Sequence, residues 1–320
     1  MVYPWQEAEW TQLNQQRRSH RLPHAILLSG PEGLGKLDFA RDLAYSLLCS
    51  SPDERGNACG HCDSCKLLHA GTHPDFLYLA PESPEKAIKV DDIRQLCQAL
   101  TLTSQYEGYK VVIIASADNM NVNAANSLLK TLEEPGANTI LILESSRTYR
   151  LPITIRSRCQ TIKFPIPKFE LAQQWLESQA VDNAAIFLPM AHGAPLKAQK
   201  LADAESSERR KLLTDALIAV AENRPVTEWA EKLAKHPSGE LLGWLYDWIG
   251  DLIRQNAGQQ SIHVPGTQSL RKMTAHIQQT DLFSLLDEVI SLKKMQSIPL
   301  NAQMFWEDLL ISWNRITKRA

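Results

Sequence analysis

The sequence lacks an excess of either charge: 34 Lys and Arg against 36 Asp and Glu leave a formal net charge of −2. A chain so balanced projects no global field towards a polyanion, so nucleic acid or an anionic membrane would have to meet a local patch. Long hydrophobic runs are missing too. The longest (Ala25 to Leu28, Val111 to Ala115, Thr139 to Leu143) fall far short of the roughly 20 apolar residues that a spanning helix needs. The opening Met1-Val2-Tyr3-Pro4-Trp5-Gln6-Glu7 has neither the basic start nor the apolar stretch of a secretory signal, which predicts a cytoplasmic protein with no membrane partner. No internal repeat or low-complexity stretch interrupts the chain. What remains is an ordinary globular composition, 44% hydrophobic over 320 residues, with room for two or three domains.

Apolar runs and helical spacing alternate through the first half. Residues 24–29, 75–79, 109–115, 139–143 and 161–164 read as strands. Leu37 to Cys49, Val90 to Thr101 and Asn121 to Glu134 read as helices, the second opened by Asp91-Asp92 and the third stopped by Pro135-Gly136. The run from Tyr109 to Ala115 has no polar alternation, as expected of a strand buried on both faces. Strands alternating with helices predict an α/β domain with a mostly parallel sheet. Phe164-Pro165-Ile166-Pro167 predicts a boundary, since two prolines preclude regular pairing. Beyond it the strand signal fades, and the expected division is 1–165, a small helical domain over 166–207 and a larger all-α domain over 208–320.

Gly30-Pro31-Glu32-Gly33-Leu34-Gly35-Lys36-Leu37 follows the first strand and opens a helix. Glycines there let backbone amides turn towards phosphates, and the lysine adds a charge at the β/γ position. Gly30, Gly33, Gly35 and Lys36 are therefore candidate nucleotide-binding residues, the bland alternative being a glycine turn without chemistry. The next position should carry the Ser or Thr hydroxyl that holds Mg²⁺, and here it is Leu37. The third strand should end in acidic residues that organise the metal and the attacking water. It ends in Ala115-Ser116, with Asp118 too late to substitute. Two independent metal-positioning elements are missing, which predicts a phosphate loop unable to hydrolyse ATP.

Four of the six cysteines, Cys49, Cys59, Cys62 and Cys65, fall within seventeen residues. In a reducing compartment such clustering points to metal rather than disulfides. Four thiolates with no vacant position suit a structural zinc. His61 and His69 are alternative ligands, and four unrelated thiols the bland reading; Cys97 and Cys159 are isolated and read as packing residues.

Asn126-Ser127-Leu128-Leu129-Lys130-Thr131-Leu132-Glu133-Glu134-Pro135, followed by Ser157-Arg158-Cys159, resembles the clamp-loader branch of the AAA+ ATPases. The four-cysteine cluster and the His73-Pro74-Asp75 step are similar to the bacterial subunits of that branch. The clear motifs cover about residues 24–165. The resemblance implies an AAA+ domain carrying a zinc module at about 49–65, a helical lid and an α-helical collar. It implies a pentamer with clamp-loader ATPase subunits and the clamp-opening delta subunit of DNA polymerase III, which loads a sliding clamp on primed DNA. Subunits with a decayed ATP site in this branch do not hydrolyse ATP, so ATP would be bound only by the neighbours. Ser157-Arg158-Cys159 is similar to the motif whose arginine reaches into the neighbouring ATP site, so Arg158 takes the finger role. The motif assigns nothing to Arg156. Gly193-Ala194-Pro195-Leu196 matches the turn before a sensor arginine, with leucine in its place.

Two other classes remain open at this stage. One is an active ATPase using Lys36 with another metal arrangement, against which Leu37, Ala115 and Ser116 argue. The other is a zinc-dependent nucleic-acid-binding module, for which the turn from Cys59 to Cys65 offers too little basic charge, with only Lys66 adjacent. In the C-terminal half, Trp244 and Trp248, and Phe305, Leu309 and Trp313, recur at spacings of four beside the parallel row Trp306 and Leu310. They predict apolar helix stripes. Arg209-Arg210 and Lys318-Arg319 read as solvated charges rather than DNA contacts.

Overall fold

The computed structural model describes residues 2–83, 86–101, 106, 108–258, 274, 277–295 and 301–318. Five strands form one parallel sheet: β1 (Ala25–Ser29), β2 (Phe76–Leu79), β3 (Lys110–Ile114), β4 (Thr139–Ser145) and β5 (Gln160–Lys163), in the order β2-β3-β4-β1-β5. The register pairs Leu27 with Leu143 of β4 along one edge of β1, and Ile26 with Gln160 of β5 along the other. The central strands β3 and β4 are buried along their whole length, which is why they read as unbroken apolar runs. The edge strands β2 and β5 are partly exposed.

The period of two along each strand divides two cores. Ala25, Leu27, Val112, Ile114, Leu141 and Leu143 face one side, covered by α4 (Val90–Thr101) and α5 (Val122–Glu133) through Ile93, Leu96, Leu128 and Leu132. Ile26, Leu28, Val111, Ile113, Ile140 and Ile142 face the other, covered by α1 (Glu7–Arg18) and α2 (Lys36–Leu48) through Leu13, Phe39, Leu43 and Leu47. A seven-residue helix α3 (Asp63–His69) lies in the cysteine-rich insertion, and a single turn, α6 (Ile153–Arg156), precedes β5. The helix α1 and the helix α3 were not foreseen from the apolar spacing.

After β5 the described chain is helical: α7 (Phe169–Ser178), α8 (Ala184–Met190), α9 (Pro195–Ala202), α10 (Ala204–Ala221), α11 (Val226–Ala234), α12 (Ser238–Asn256), α13 (Gln279–Met295) and α14 (Ala302–Lys318). Packing divides the chain into two compact units, Met1–Trp175 with Ala194–Lys197, and Leu176–Gly193 with Ala198–Ala320. Among the described residues no helix is long and apolar enough to cross a membrane.

The second unit closes on the stripes expected of α12 and α14. Trp306, Leu309, Leu310 and Trp313 are wholly buried, and Trp313 Nε1 donates to the Leu217 carbonyl at 2.8 Å. Arg209 and Arg210 are not solvated. Arg209 is paired with Glu205 and with Glu240, the latter at 2.6 Å, and its side chain is only 16% exposed. The Arg210 guanidinium lies over the rings of Phe187 (5.1 Å) and Trp244 (5.6 Å) and donates to the Leu201 carbonyl at its other end. A guanidinium can lay its flat face on aromatic rings while its rim still donates, so the pair of arginines holds helices together. Of the terminal pair, Arg319 lies outside the described residues.

Candidate functional site

The parallel sheet places the phosphate loop at the C-terminal end of its second-last strand, where ligands are bound in folds of this kind. Gly35 takes the left-handed conformation (φ +76°) needed to start α2, and a Cβ there would lie 2.3 Å from the Tyr3 ring. A Cβ on Gly30 would meet the Phe164 carbonyl oxygen at 2.4 Å. The loop is therefore built like a phosphate loop, with the Tyr3 ring packed against one glycine and the Phe164 carbonyl against another.

Its carbonyls and its lysine are engaged within the chain. Lys36 is 3% exposed; its Nζ lies 3.1 Å from Glu144 Oε1 and donates to the Pro31 carbonyl at 2.8 Å and to Ser146 Oγ at 2.9 Å. Glu144, 10% exposed near the end of β4, accepts through its other oxygen from the Ser116 backbone N–H at 3.0 Å. A carboxylate thus supplies the counter-charge that a phosphate lysine needs. Nothing in the motif pointed to Glu144. The signal available was chemical: a buried lysine kept in a loop that has lost its metal partners requires another anion.

The N-terminal segment caps the same loop. Trp5 Nε1 donates to the Leu34 carbonyl at 3.0 Å, and Gln6 Nε2 donates to the Leu34 and Gly35 carbonyls at 2.8 and 3.0 Å. Tyr3 stacks on Trp5 at 4.9 Å, and Trp175 packs edge-on against both rings. Burial, and then the neighbouring Asp38 carboxylate, push the Tyr3 phenol up to about 12. It therefore stays protonated and donates to Asp38 Oδ2 at 3.1 Å. From the other flank the Leu196 N–H donates to the Gly33 carbonyl at 3.1 Å.

At the end of β3 the chain carries no metal ligand. Ala115 is buried, and Ser116 sits in the left-handed region (φ 48°) with its N–H on Glu144. Asp118 accepts from Ser145 Oγ at 2.8 Å, the Ser146 N–H at 3.2 Å and Arg147 Nε at 2.8 Å. Burial pushes its carboxyl up, but the Ser145 hydroxyl and the Arg147 guanidinium outweigh that and hold it below the ordinary aspartate value. Asp118 is thus a structural anion. Leu37, where a metal hydroxyl would stand, packs on the apolar core instead.

Arg158 lies elsewhere, just after α6, and its side chain is open to solvent, 35% exposed. Its Nε donates to Glu133 Oε1 at 2.8 Å, its Nη2 to the same oxygen, and its Nη1 to the Thr154 carbonyl at 3.0 Å. Ser157 Oγ donates to Thr154 O at 3.3 Å. Cys159 points inward, its thiol pushed up to about 11 by burial. Arg156 is exposed, as are Tyr149 and Ile153 on the same short segment.

The four cysteines come together. Cys49 ends α2, Cys62 caps α3, and the four sulfurs lie within 4.8 Å of one another. Two of the edges measure 3.9 Å (Cys49–Cys62) and 4.0 Å (Cys59–Cys65). Ligand sulfurs about 2.3 Å from a tetrahedral zinc stand about 3.8 Å apart, so the cluster fits a metal such as zinc. Backbone N–H groups of Cys59, Cys62 and Cys65 point at sulfurs of the set at 3.3–3.4 Å, as thiolate ligands require. Burial pushes the Cys65 thiol up to about 12. At Cys62 burial also raises the thiol, but donors from Ser50 and Cys65 prevail and hold it at about 5. His61 turns to the Cys59 carbonyl and His69 packs edge-on against Tyr45, so neither joins the cluster. Cys97 accepts from Thr131 Oγ1 at 3.3 Å beside the core.

The His73-Pro74-Asp75 step ties this insertion to the sheet. Asp75 N–H donates to His73 Nδ1 at 3.1 Å, which leaves the proton on Nε2, 2.9 Å from Ser64 Oγ; that hydroxyl donates to the Leu48 carbonyl at 2.6 Å. The Ser64–His73 contact resembles a nucleophile and its base, but the hydroxyl proton is committed to a backbone carbonyl and the group is buried. It is a brace.

Comparison with known proteins agrees with this construction. The family described as DNA polymerase III, delta subunit matches residues 5–168, and that described as DNA polymerase III, delta subunit, C terminal matches residues 204–315. The chain is similar to DNA polymerase III subunit delta' of Pseudomonas aeruginosa, at 36% identity covering 98% of this chain and 97% of that one. It is also similar to DNA polymerase III subunit delta' of Escherichia coli K12, at 31% identity covering 97% and 94%. Among solved structures, a DNA polymerase III gamma subunit-related protein from Thermotoga maritima shares the fold, with a TM-score of 0.53 at 20% identity over 96% of this chain and 99% of that one. A closed phosphate loop, a cysteine cluster and an exposed arginine on this fold, with likeness along nearly the whole chain, place the protein in the delta-prime family of DNA polymerase III, within the AAA+ clamp loaders.

Proposed function

We propose that this chain is a non-hydrolysing member of its clamp loader and that Arg158 acts on the ATP held by a neighbouring subunit. The observation that carries this reading is the division of charge in the first unit. The loop lysine is buried against Glu144, whereas the Arg158 guanidinium stands at the surface. A guanidinium keeps its charge at any physiological pH and offers donors in a plane that suits phosphate oxygens. Placed beside a γ-phosphate in transfer, it stabilises charge that develops there, an effect worth about 10³–10⁵ in rate in NTPases, or about 4–7 kcal/mol. The exposed apolar side chains of Tyr149 and Ile153 beside it suit a face that a partner covers.

The rest of the reading follows the family. The partners are the ATPase subunits and the clamp-opening delta subunit in a pentamer, and through them the sliding clamp and primed DNA. The first domain (1–165) delivers the arginine, residues 166–207 serve as the lid, and 208–320 form the collar that joins the ring. The four cysteines hold a structural zinc that fixes an insertion too small to bury a core of its own. Polymerase activity belongs to the holoenzyme and ATP turnover to the neighbours.

The test is reconstitution with wild-type ATPase subunits, clamp and primed DNA, comparing wild type with Arg158→Ala. Assembly is followed separately by gel filtration. ATP turnover and clamp loading fall by orders of magnitude in an intact complex if Arg158 is the donor; unchanged turnover would leave the chain as a scaffold.

A further inference from the structure

Arg158 reaches its site on a flexible stem, yet the structure holds its guanidinium at three points. Glu133, the last residue of α5, takes Nε at 2.8 Å and Nη2 through the single oxygen Oε1, and the Thr154 carbonyl takes Nη1 at 3.0 Å. A guanidinium has five N–H donors. Three are engaged, so one on Nη1 and one on Nη2 are left, which is what a phosphate oxygen needs. The elements that set this geometry are local and firm. The N-terminus of α5 is capped by Asn121, whose side chain accepts from the Ala124 N–H, and Leu128 and Leu132 are buried on the sheet. Ile155 anchors the α6 turn in the same core.

We propose that Glu133 is a positioning residue for Arg158: its carboxylate fixes one edge of the guanidinium so that the remaining donors point outward as a pair. This rests on the finger reading of Arg158. The charge of Glu133 works against attraction of a phosphate, so its contribution is orientation, and the two effects separate by substitution. Glutamine keeps the accepting oxygen and removes the charge; alanine removes both.

The experiment uses the reconstituted clamp loader with wild-type ATPase subunits, measuring kcat and KM for ATP. The variants are Glu133→Ala, Glu133→Gln, Arg158→Ala and the double variant Glu133→Ala/Arg158→Ala, with assembly checked by gel filtration. The pair is half exposed, so the orienting effect is modest. Glu133→Ala lowers kcat about three- to tenfold with little change in KM. Glu133→Gln stays within about twofold of wild type, and Glu133→Ala has no further effect once Arg158 is alanine. A Glu133→Ala kcat equal to wild type, with Arg158→Ala still deficient, overturns the positioning role and leaves the finger. The same holds if the full Glu133→Ala loss persists in the Arg158→Ala background. An Arg158→Ala complex with unchanged turnover overturns both.

Discussion

Glu144→Ala tests whether the phosphate loop has been closed by an internal anion. Lys36 and Glu144 are 3% and 10% exposed and 3.1 Å apart, with Pro31 O and Ser146 Oγ on the ammonium and the Ser116 N–H on the carboxylate. Removing one partner of a buried pair strands the other charge away from water, a loss of about 3–5 kcal/mol. For a domain of this size each kcal/mol moves the midpoint by about 2–4 °C, so the first unit melts about 6–20 °C lower. Replacing both partners by neutral groups of similar shape, Lys36→Met with Glu144→Gln, keeps an acceptor for the Ser116 N–H and leaves no stranded charge. The double variant therefore recovers most of the loss. The assay is scanning calorimetry with urea unfolding as a check, run also on Lys36→Met and Glu144→Gln alone, and the coupling between these two substitutions is the quantity of interest. A Glu144→Ala midpoint within about 2 °C of wild type, or losses that simply add in the double variant, would refute the buried-pair account.

Isothermal titration of the isolated chain with ATP and Mg²⁺ shows no saturable binding, because the loop lysine is already neutralised by Glu144 and, among the described residues, no metal ligand stands beside it; stoichiometric binding at micromolar concentration would contradict this. The purified protein carries about one zinc per chain by atomic emission, and Cys62→Ser loses it together with protection of the α3 amides from hydrogen exchange. Zinc content unchanged in Cys62→Ser would remove that residue from the ligand set. Burial holds His73 below the ordinary histidine value, against the pull of Asp75. The unfolded chain takes up a proton there below about pH 6.5 and the folded chain resists it, so stability present at higher pH is lost as pH falls through that value. His73→Gln flattens this slope in urea midpoints between neutral pH and mild acid, and identical slopes would exclude His73 as its source.

Much of the fold was readable because the residues that build it repeat. The run Val111 to Ile114 is apolar on both pleats, and it lies between two strands with helices on either face. The cysteine spacing was readable because metal geometry leaves few arrangements of four sulfurs near a short helix. Helix α1 was not, since only Trp10, Leu13 and Asn14 of its twelve residues are buried and its apolar period is faint. Glu144 was hidden for a different reason. A single carboxylate after Thr139 to Leu143 looks like a strand meeting solvent, and only the fold brings it to Lys36, more than a hundred residues away. Arg209 and Arg210 misled in the opposite sense, because a dibasic step on a helix says nothing about the Glu240 carboxylate or the Trp244 ring that another helix presents.

The central claim, that Arg158 supplies transition-state charge to a neighbour, is tested most directly by analogue affinity. The reconstituted complex on clamp and primed DNA is titrated with ADP–aluminium fluoride, which mimics the phosphoryl group in transfer, and with a non-hydrolysable ATP analogue. Arg158→Ala weakens the first by at least about 100-fold and the second by less than about tenfold, since a finger acts chiefly on the transition state. Equal weakening of both, or of neither, would contradict the assignment.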